Sequence, residues 1–237
     1  AAAEVAAAAG VAAARHEVRI ELLAAAAATC RGQCGSEAER SDALRLVEAL
    51  ERLNPTEAPA RETAMLEGEW QLVFASEDVT RSSPFFWAWR QLLRGVEDPL
   101  PLTRSAFGTE RLSESIFTIT DNIPVKKIGE AAQSISDGQL VNRVAVSVFG
   151  VGRTMMTTTS RILPSELEGP GDELSLRVET TQAADSSLPF ADSYVFPSED
   201  LLGAAAEVSM RITYLDDGLR IVRVPADDQV FVYVRAQ

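Results

Sequence analysis

Most of the chain beyond Leu66 consists of short segments in which apolar and polar residues alternate. Side chains along a strand point alternately to its two faces, so each segment reads as a strand with one buried face. Turn-forming pairs, Asp-Gly at 137–138 and 217–218 and Pro-Gly at 170–171, fall between the segments. About eight or nine such strands in succession, among them 116–120, 140–149, 174–178, 208–214 and 230–234, predict an up-and-down antiparallel barrel.

The first strand of this series begins at Gly68, within LEGEWQLVF at 66–74. Unbroken alternation places Trp70, Leu72 and Phe74 on one face. Trp70 therefore faces either a packed core or a ligand cavity. Barrels of about eight strands have interiors that side chains fill or that hold one small ligand, so both alternatives stay open.

The residues before the first strand are helical in pattern. Residues 1–14 are nearly all Ala, which favours a helix but provides no strong apolar stripe. Ser36 and Glu39 form the pattern of a capping box that begins a helix running to Leu53. We predict an α+β chain, mainly β, with an Ala-rich extension at 1–14, a helical region of two or three helices at 15–60 and a barrel domain at 61–237.

A further helix, rich in aromatic residues, is predicted just after the first strand. Pro84 suits the first turn of a helix capped by Ser82 or Ser83. At helical spacing one face carries Phe85, Trp89, Leu92 and Leu93, whereas Phe86 and Trp87 lie off that face. One face cannot bury them all, so this helix is expected to cap the barrel as a lid, to lie at a membrane surface or to meet a partner protein.

Composition and charge exclude several classes of function. The chain has 22 Lys and Arg against 35 Asp and Glu, a net charge of −13 that repels nucleic acid. Cys30, Cys34 and the single histidine, His16, are too few for a zinc site, so no metal is predicted. No run of 18 strongly apolar residues occurs in the sequence, so any membrane contact is expected to be peripheral.

The sequence also offers no catalytic constellation. His16 lies in the N-terminal helical region, away from the barrel, which argues against Ser-His-Asp or Cys-His catalysis. The adjacent acids Asp216 and Asp217 lie in a tight turn, where solvation is commoner than acid–base chemistry. We therefore expect a protein that is not an enzyme.

The start Gly68-x-Trp70 is similar to the opening of lipocalin barrels. Further motifs follow one another along the chain: Arg31-Gly32, Asn54-Pro55-Thr56, LEGEWQLVFAS, SSPFFWAWRQ, QSISDGQLVN and ITYLDDGLRIVRV. The order of these motifs over residues 20–237 resembles the plastid lipid-associated protein, or fibrillin, family. TYLDDGLRIVR is the most specific of these segments, and the Ala-rich N-terminus departs from the family pattern.

This resemblance implies a lipocalin-like barrel in plastids, peripheral on thylakoids or plastoglobules. It implies no required cofactor, but a possible bound lipid, prenylquinone, carotenoid or chlorophyll. It also implies that Gly68 and Trp70 form the closed floor of the barrel, covered by an arginine from late in the chain. Arg220 is the first choice for that arginine, ahead of Arg223 and Arg235, through cation–π contact with the indole.

Two functions follow as expectations. In the first, a non-enzymatic protein holds or shields an apolar isoprenoid, lipid or pigment inside the barrel. In the second, a filled barrel is a structural or assembly subunit that docks on a photosystem or light-harvesting complex. The residues expected to line the pocket, or to fill it, are Leu72, Phe74, Val144, Val146, Val148, Met210, Ile212 and Tyr214.

Overall fold

The computed structural model describes residues 2–93, 126–148, 152–164, 170–184, 195–226 and 228–236. In these ranges the α-helices are α1 (Ala2–Ala28), α2 (Glu37–Arg52), α3 (Thr63–Leu66), α4 (Pro84–Leu92) and α5 (Ser198–Leu202). The strands are β1 (Gly68–Ala75), β2 (Lys126–Ser136), β3 (Gln139–Val148), β4 (Gly152–Ile162), β5 (Glu173–Ala184), β6 (Val195–Phe196), β7 (Glu207–Leu215), β8 (Leu219–Val224) and β9 (Gln229–Arg235). The strand predicted at 116–120 falls outside the described residues.

The strands form one sheet in the order β4-β3-β2-β1-β9-β8-β7-β5-β6, and β4 also pairs with β5. Eight of the described strands therefore close into an antiparallel up-and-down barrel, and β6 is an additional short strand beside β5. The prediction of a mainly β chain, with N-terminal helices before a barrel of eight or nine strands, is confirmed.

The chain divides into two compact units. The first unit comprises Ala1–Glu77, Ser165–Leu174 and Ser209–Gln237, and the second comprises Asp78–Pro164 and Ser175–Val208. Helices α1 to α3 and strands β1, β8 and β9 belong to the first unit, whereas α4, α5 and strands β2, β3 and β4 belong to the second.

The predicted capping box at the start of α2 is confirmed. The hydroxyl of Ser36 accepts a hydrogen bond from the amide of Glu39 at 3.2 Å, and the Glu39 carboxylate accepts one from the amide of Ser36 at 2.8 Å. The hydrogen bonds from the Ser36 side chain and backbone lower the pKa of Glu39. Two otherwise unpaired amides at the helix start are thereby satisfied.

Two β-bulges decide which side chains of the first unit face the helices. The register shifts between Leu72 and Phe74 in β1, and between Ile212 and Tyr214 in β7. Because a bulge inserts one residue, the residue after it points to the opposite face. The prediction that Phe74 shares a face with Leu72, and Tyr214 with Ile212, is wrong, because it assumed unbroken alternation.

Phe74 and Tyr214 instead join a hydrophobic cluster that binds α1 and α2 to the outer face of the barrel. Both are fully buried there, among Leu22 of α1 and Val47 and Leu50 of α2. The phenol of Tyr214 donates to the Asp216 carboxylate at 2.6 Å, and its burial, followed by this hydrogen bond, raises its pKa. Both aromatic residues therefore hold the helices and do not line the interior.

The bulge in β7 is tied to the C-terminal end of α2. The bulged residue, Thr213, donates its hydroxyl proton to the Glu51 carboxylate at 2.6 Å. Arg223 of β8 donates to both oxygens of the same carboxylate, at 2.6 and 2.9 Å. Arg223, one of the three candidates for covering Trp70, therefore anchors α2.

Trp70 is fully buried, and two arginines stack on its indole. The guanidinium carbon of Arg220 lies 4.8 Å from the ring centroid and that of Arg235 lies 4.4 Å from it. Arg220 also lies 4.8 Å from the ring centroid of Tyr233. The predicted contact between Trp70 and Arg220 is present, and Tyr233 and Arg235 extend it.

Arg220 is fully buried, and its guanidinium lies over two aromatic rings. Burial lowers its pKa to about 10; the Tyr233 hydroxyl opposes this effect, and the charge of Arg235 adds to it. The negative faces of two rings offset part of the lost hydration. A Cβ at position 68 would lie 2.7 Å from the guanidinium of Arg235. Gly68, at φ +121°, has no such atom. The Gly-x-Trp spacing thus leaves room for the second arginine.

We expect Arg220→Ala to lower the free energy of unfolding by about 3 kcal/mol, because it removes two cation–π contacts and leaves a cavity. Arg220→Lys should recover less than half of this loss, since an ammonium group lacks the planar guanidinium that stacks between two rings. Urea unfolding followed by tryptophan fluorescence measures both. Full recovery by lysine would contradict the stacking argument.

Phe74→Ala should lower the free energy of unfolding by about 3–5 kcal/mol. It should also accelerate hydrogen exchange of the α1 and α2 amides, because Phe74 packs beneath these helices. Leu72→Ala is the matched control, since Leu72 is equally buried in β1 but faces the interior. Hydrogen–deuterium exchange with mass spectrometry separates the two variants. If Leu72→Ala accelerates hydrogen exchange of the α1 and α2 amides as much as Phe74→Ala does, the bulge does not orient Phe74 as described.

Candidate functional site

Helix α4 is anchored at both ends within the second unit. It begins at Pro84 with Ser83 as the N-cap residue, as predicted. The Ser83 hydroxyl does not cap the helix but lies 2.8 Å from the Thr158 hydroxyl of β4. Near the other end, the Gln91 side-chain amide donates to the carbonyl of Glu207, where β7 begins, at 3.1 Å. The helix therefore runs from the inner face of β4 to the start of β7, the position of a lid.

The buried side of α4 is not the one that the sequence suggested. Its buried residues are Pro84, Trp87 and Ala88, and the indole of Trp87 donates to the Arg81 carbonyl at 2.6 Å. Trp87 was predicted to lie off the packed face, and this is wrong. The apolar residues of α4 are spread around the helix, so their spacing alone could not identify the side that packs.

A neighbouring side of α4 belongs to a partly exposed apolar surface. Phe85 stacks on Trp89 with centroids 6.1 Å apart and meets Phe196 edge-on at 5.4 Å. Phe86 and Leu93 are half-buried. Leu92 is 40% exposed, and Val195 of β6 and Leu201 of α5 are 48% and 57% exposed. We define the α4 surface as Phe85, Trp89, Leu92, Val195, Phe196 and Leu201.

A row of buried polar side chains crosses four strands of the second unit. Gln133 of β2 lies opposite Asn142 of β3, Asn142 opposite Thr158 of β4, and Thr158 opposite Thr181 of β5. The Thr158 and Thr181 hydroxyls are 3.2 Å apart, and Ser198 donates to Thr181 at 3.2 Å. Residues directly opposite one another share a face, so these four residues form one polar row on the inner face.

The chain's own backbone covers this polar row. A 3-10 turn, Val79–Ser82, precedes α4, and the Ser82 carbonyl accepts hydrogen bonds from Gln133 at 3.4 Å and from Asn142 at 3.3 Å. Arg81 is buried, with its guanidinium carbon 5.1 Å from the ring centroid of Phe86. The turn before α4 therefore covers the polar row on the inner face of the second unit.

Five of the predicted lining residues keep the expected orientation. In the second unit, Val144 is buried on the inner face of β3 and Val146 is half-buried. In the first unit Leu72, Met210 and Ile212 are buried on the face opposite the helices. The side chain of Val148 lies outside those described. That these residues line a ligand pocket stays a prediction.

The polar row is not among the sites predicted from the sequence. A local signal exists, since Asn142 interrupts an otherwise apolar inner set that continues with Val144 and Val146. Recognising the row also requires the register of β2 to β5, which aligns Gln133, Thr158 and Thr181 with it. That register depends on pairing between segments distant in sequence and cannot be read from any one of them.

The arrangement is suited to recognition by hydrogen bonds and apolar contact. The polar row consists of amides and hydroxyls, which donate and accept hydrogen bonds without titrating near neutral pH. Within the described residues, no group of three His, Cys, Asp or Glu could hold a metal ion, and no helix is long and apolar enough to cross a bilayer. His16 is exposed on α1, and Cys30 and Cys34 are free and exposed.

Comparison with known proteins identifies the family. The family model described as PAP_fibrillin matches residues 16–234. The chain is 27% identical over 218 residues to the "Plastid-lipid-associated protein, chloroplastic" of Citrus unshiu, an alignment that covers 87% of this chain and 64% of that relative. The chain thus spans less than two thirds of the length of that relative. Because the family match runs from α1 to β9, the chain belongs to the PAP_fibrillin family.

Proposed function

We propose that this protein is a non-enzymatic, lipid-associated protein of plastids that contacts lipid through the α4 surface. Membership of the PAP_fibrillin family and the name of the chloroplastic relative support both the lipid and the compartment. The observation that carries the proposal is the exposed apolar area around α4, β6 and α5.

Single exposed apolar residues are common on soluble proteins, but a group of them around an aromatic cluster marks an interaction site. Leu92 lies on the same helix as the stacked pair of Phe85 and Trp89. Val195 precedes Phe196, which meets Phe85, and Leu201 lies on α5, which contacts α4. A half-exposed indole suits the boundary between lipid and water, because its ring is apolar and its N–H is polar. A helix of nine residues is too short to span a bilayer and would lie along the surface.

The overall charge indicates which lipid surface the protein would meet. A net charge of −13 disfavours an anionic surface, so attraction must come from apolar contact. We propose the surface of thylakoids or plastoglobules as the location, with uncharged lipid as the contact. Binding of this kind should change little with salt, because screening acts on charges and not on apolar burial.

The barrel itself would hold or shield an apolar ligand, for which an isoprenoid lipid, prenylquinone, carotenoid or chlorophyll has the required character. Beyond the polar row, Val146 and Met156 on the inner faces of β3 and β4 remain half-buried. Covering them with an apolar chain would stabilise the complex by about 25 cal/mol for each Å² removed from water.

A second function is favoured by the turn at Ser82, which covers the polar row from within the chain and suits a structural subunit with a packed barrel. In that case the α4 surface would dock on a membrane protein complex, such as a photosystem or light-harvesting complex. The two functions differ in whether lipid alone is enough for binding.

The double variant Leu92→Ser, Leu201→Ser should reduce flotation with protein-free phosphatidylcholine vesicles at least about tenfold. Each leucine would otherwise bury its exposed half in lipid, a contribution of about 1 kcal/mol per residue. Ile20→Ser is the matched control, because Ile20 is 54% exposed on α1, outside the α4 surface. The control should float like the wild type.

If the control loses as much flotation as the double variant, lipid does not bind at the α4 surface. If the wild type ignores protein-free vesicles but binds plastid membranes in a protease-sensitive manner, the second function is correct and direct lipid association is wrong.

A further inference from the structure

Three buried polar atoms at the polar row have no hydrogen-bond partner among the described residues. They are the hydroxyl oxygens of Ser82 and Ser160 and the side-chain oxygen of Asn142. All three residues are at most 1% exposed. Buried polar atoms in native proteins are almost always paired, so an unpaired group of this kind indicates a bound water or ligand.

The three residues are neighbours on the inner face of the second unit. Asn142 lies opposite Thr158, and Ser160 is two residues along β4 from Thr158, on the same face. Such diagonal neighbours have Cα atoms roughly 7–8 Å apart. The carbonyl of Ser82 accepts the hydrogen bond from the Asn142 amide nitrogen, which places Ser82 beside Asn142. One small oxygen-bearing group could therefore reach more than one of the unpaired atoms.

Along the inner face of the strands, apolar residues lie on both sides of these three atoms. Ser160 lies opposite Leu140 and Val178, which are fully buried. In the other direction the inner face continues through Val144 to Val146 and Met156, which are half-buried. The polar group of a ligand would thus lie deep in the unit, and its apolar body would extend toward the more exposed end.

The chemistry of the three atoms selects a hydroxyl group. The Asn142 oxygen only accepts hydrogen bonds, so the ligand must donate one. The serine hydroxyls can donate to the ligand oxygen in return. A carboxylate would place its charge against the Asn142 oxygen, acceptor against acceptor. An ether or a ketone cannot donate.

We propose that Ser82, Asn142 and Ser160 form the head-group site for a lipid that carries a hydroxyl group on an uncharged apolar body. This inference rests on the proposed lipid association of the protein, whose ligand class it names. It does not depend on the α4 surface, which contains none of these three residues.

The test measures how the full polypeptide binds four probes that share a ten-carbon chain: 1-decanol, decanoate, decyl methyl ether and decane. Binding is followed by tryptophan fluorescence and by the Asn142 side-chain amide signals in nitrogen-15 NMR spectra. 1-Decanol should bind about tenfold more tightly than the ether, because only the alcohol satisfies the Asn142 oxygen. Equal affinity for alcohol and ether, or tighter binding of decanoate than of 1-decanol, would overturn the proposal without any mutation.

Ser160→Ala should weaken 1-decanol binding about fivefold while leaving the urea midpoint and the affinity for decane unchanged, because the Ser160 hydroxyl has no partner to lose among the described residues. Ser134→Ala is the matched control, since Ser134 is a half-buried serine on the outward face of β2. If Ser160→Ala binds 1-decanol like the wild type, the site is elsewhere.

The two proposals can fail separately. Selective 1-decanol binding without vesicle flotation would contradict the α4 surface alone, whereas flotation without selectivity for the alcohol would contradict the head-group site alone.

Discussion

Buried amides and hydroxyls must find hydrogen-bond partners, and for the polar row of the second unit the partners include Ser82 and Ser83. This requirement fixes where α4 begins. Because the start of α4 is fixed, Trp87 turns inward and Phe85 and Trp89 turn outward. The apolar area that we propose to contact lipid is therefore a consequence of a polar contact inside the barrel.

The first unit provides stability by different means. Arg220 is buried over the rings of Trp70 and Tyr233, whose negative faces offset part of its lost hydration, and Arg235 also contacts the indole of Trp70. On the outer face, Phe74 and Tyr214 hold α1 and α2 against the sheet. None of these residues contributes to the α4 surface or to the head-group site, so the residues proposed to act on lipid belong to the second unit.

Local patterns predicted the strands, the Asp-Gly turns and the capping box of Ser36 and Glu39, because each depends on residues close together in sequence. The family resemblance supplied the contact between Trp70 and Arg220. The orientations of Phe74 and Tyr214 escaped prediction because a bulge reverses the alternation without any mark in composition. The buried side of α4 and the polar row depend on register between distant strands, which no single segment encodes.

The central claim is that lipid meets the outer side of α4 while Trp70 and Trp87 stay buried, at 0% and 5% exposure. Fluorescence quenching by phosphatidylcholine vesicles with brominated acyl chains tests it directly, since bromine quenches only tryptophan that reaches the lipid. We expect the wild type to be quenched on binding and Trp89→Phe, still bound to the vesicles, to lose this quenching. Undiminished quenching of bound Trp89→Phe would mean that lipid reaches Trp70 or Trp87 and would contradict the account.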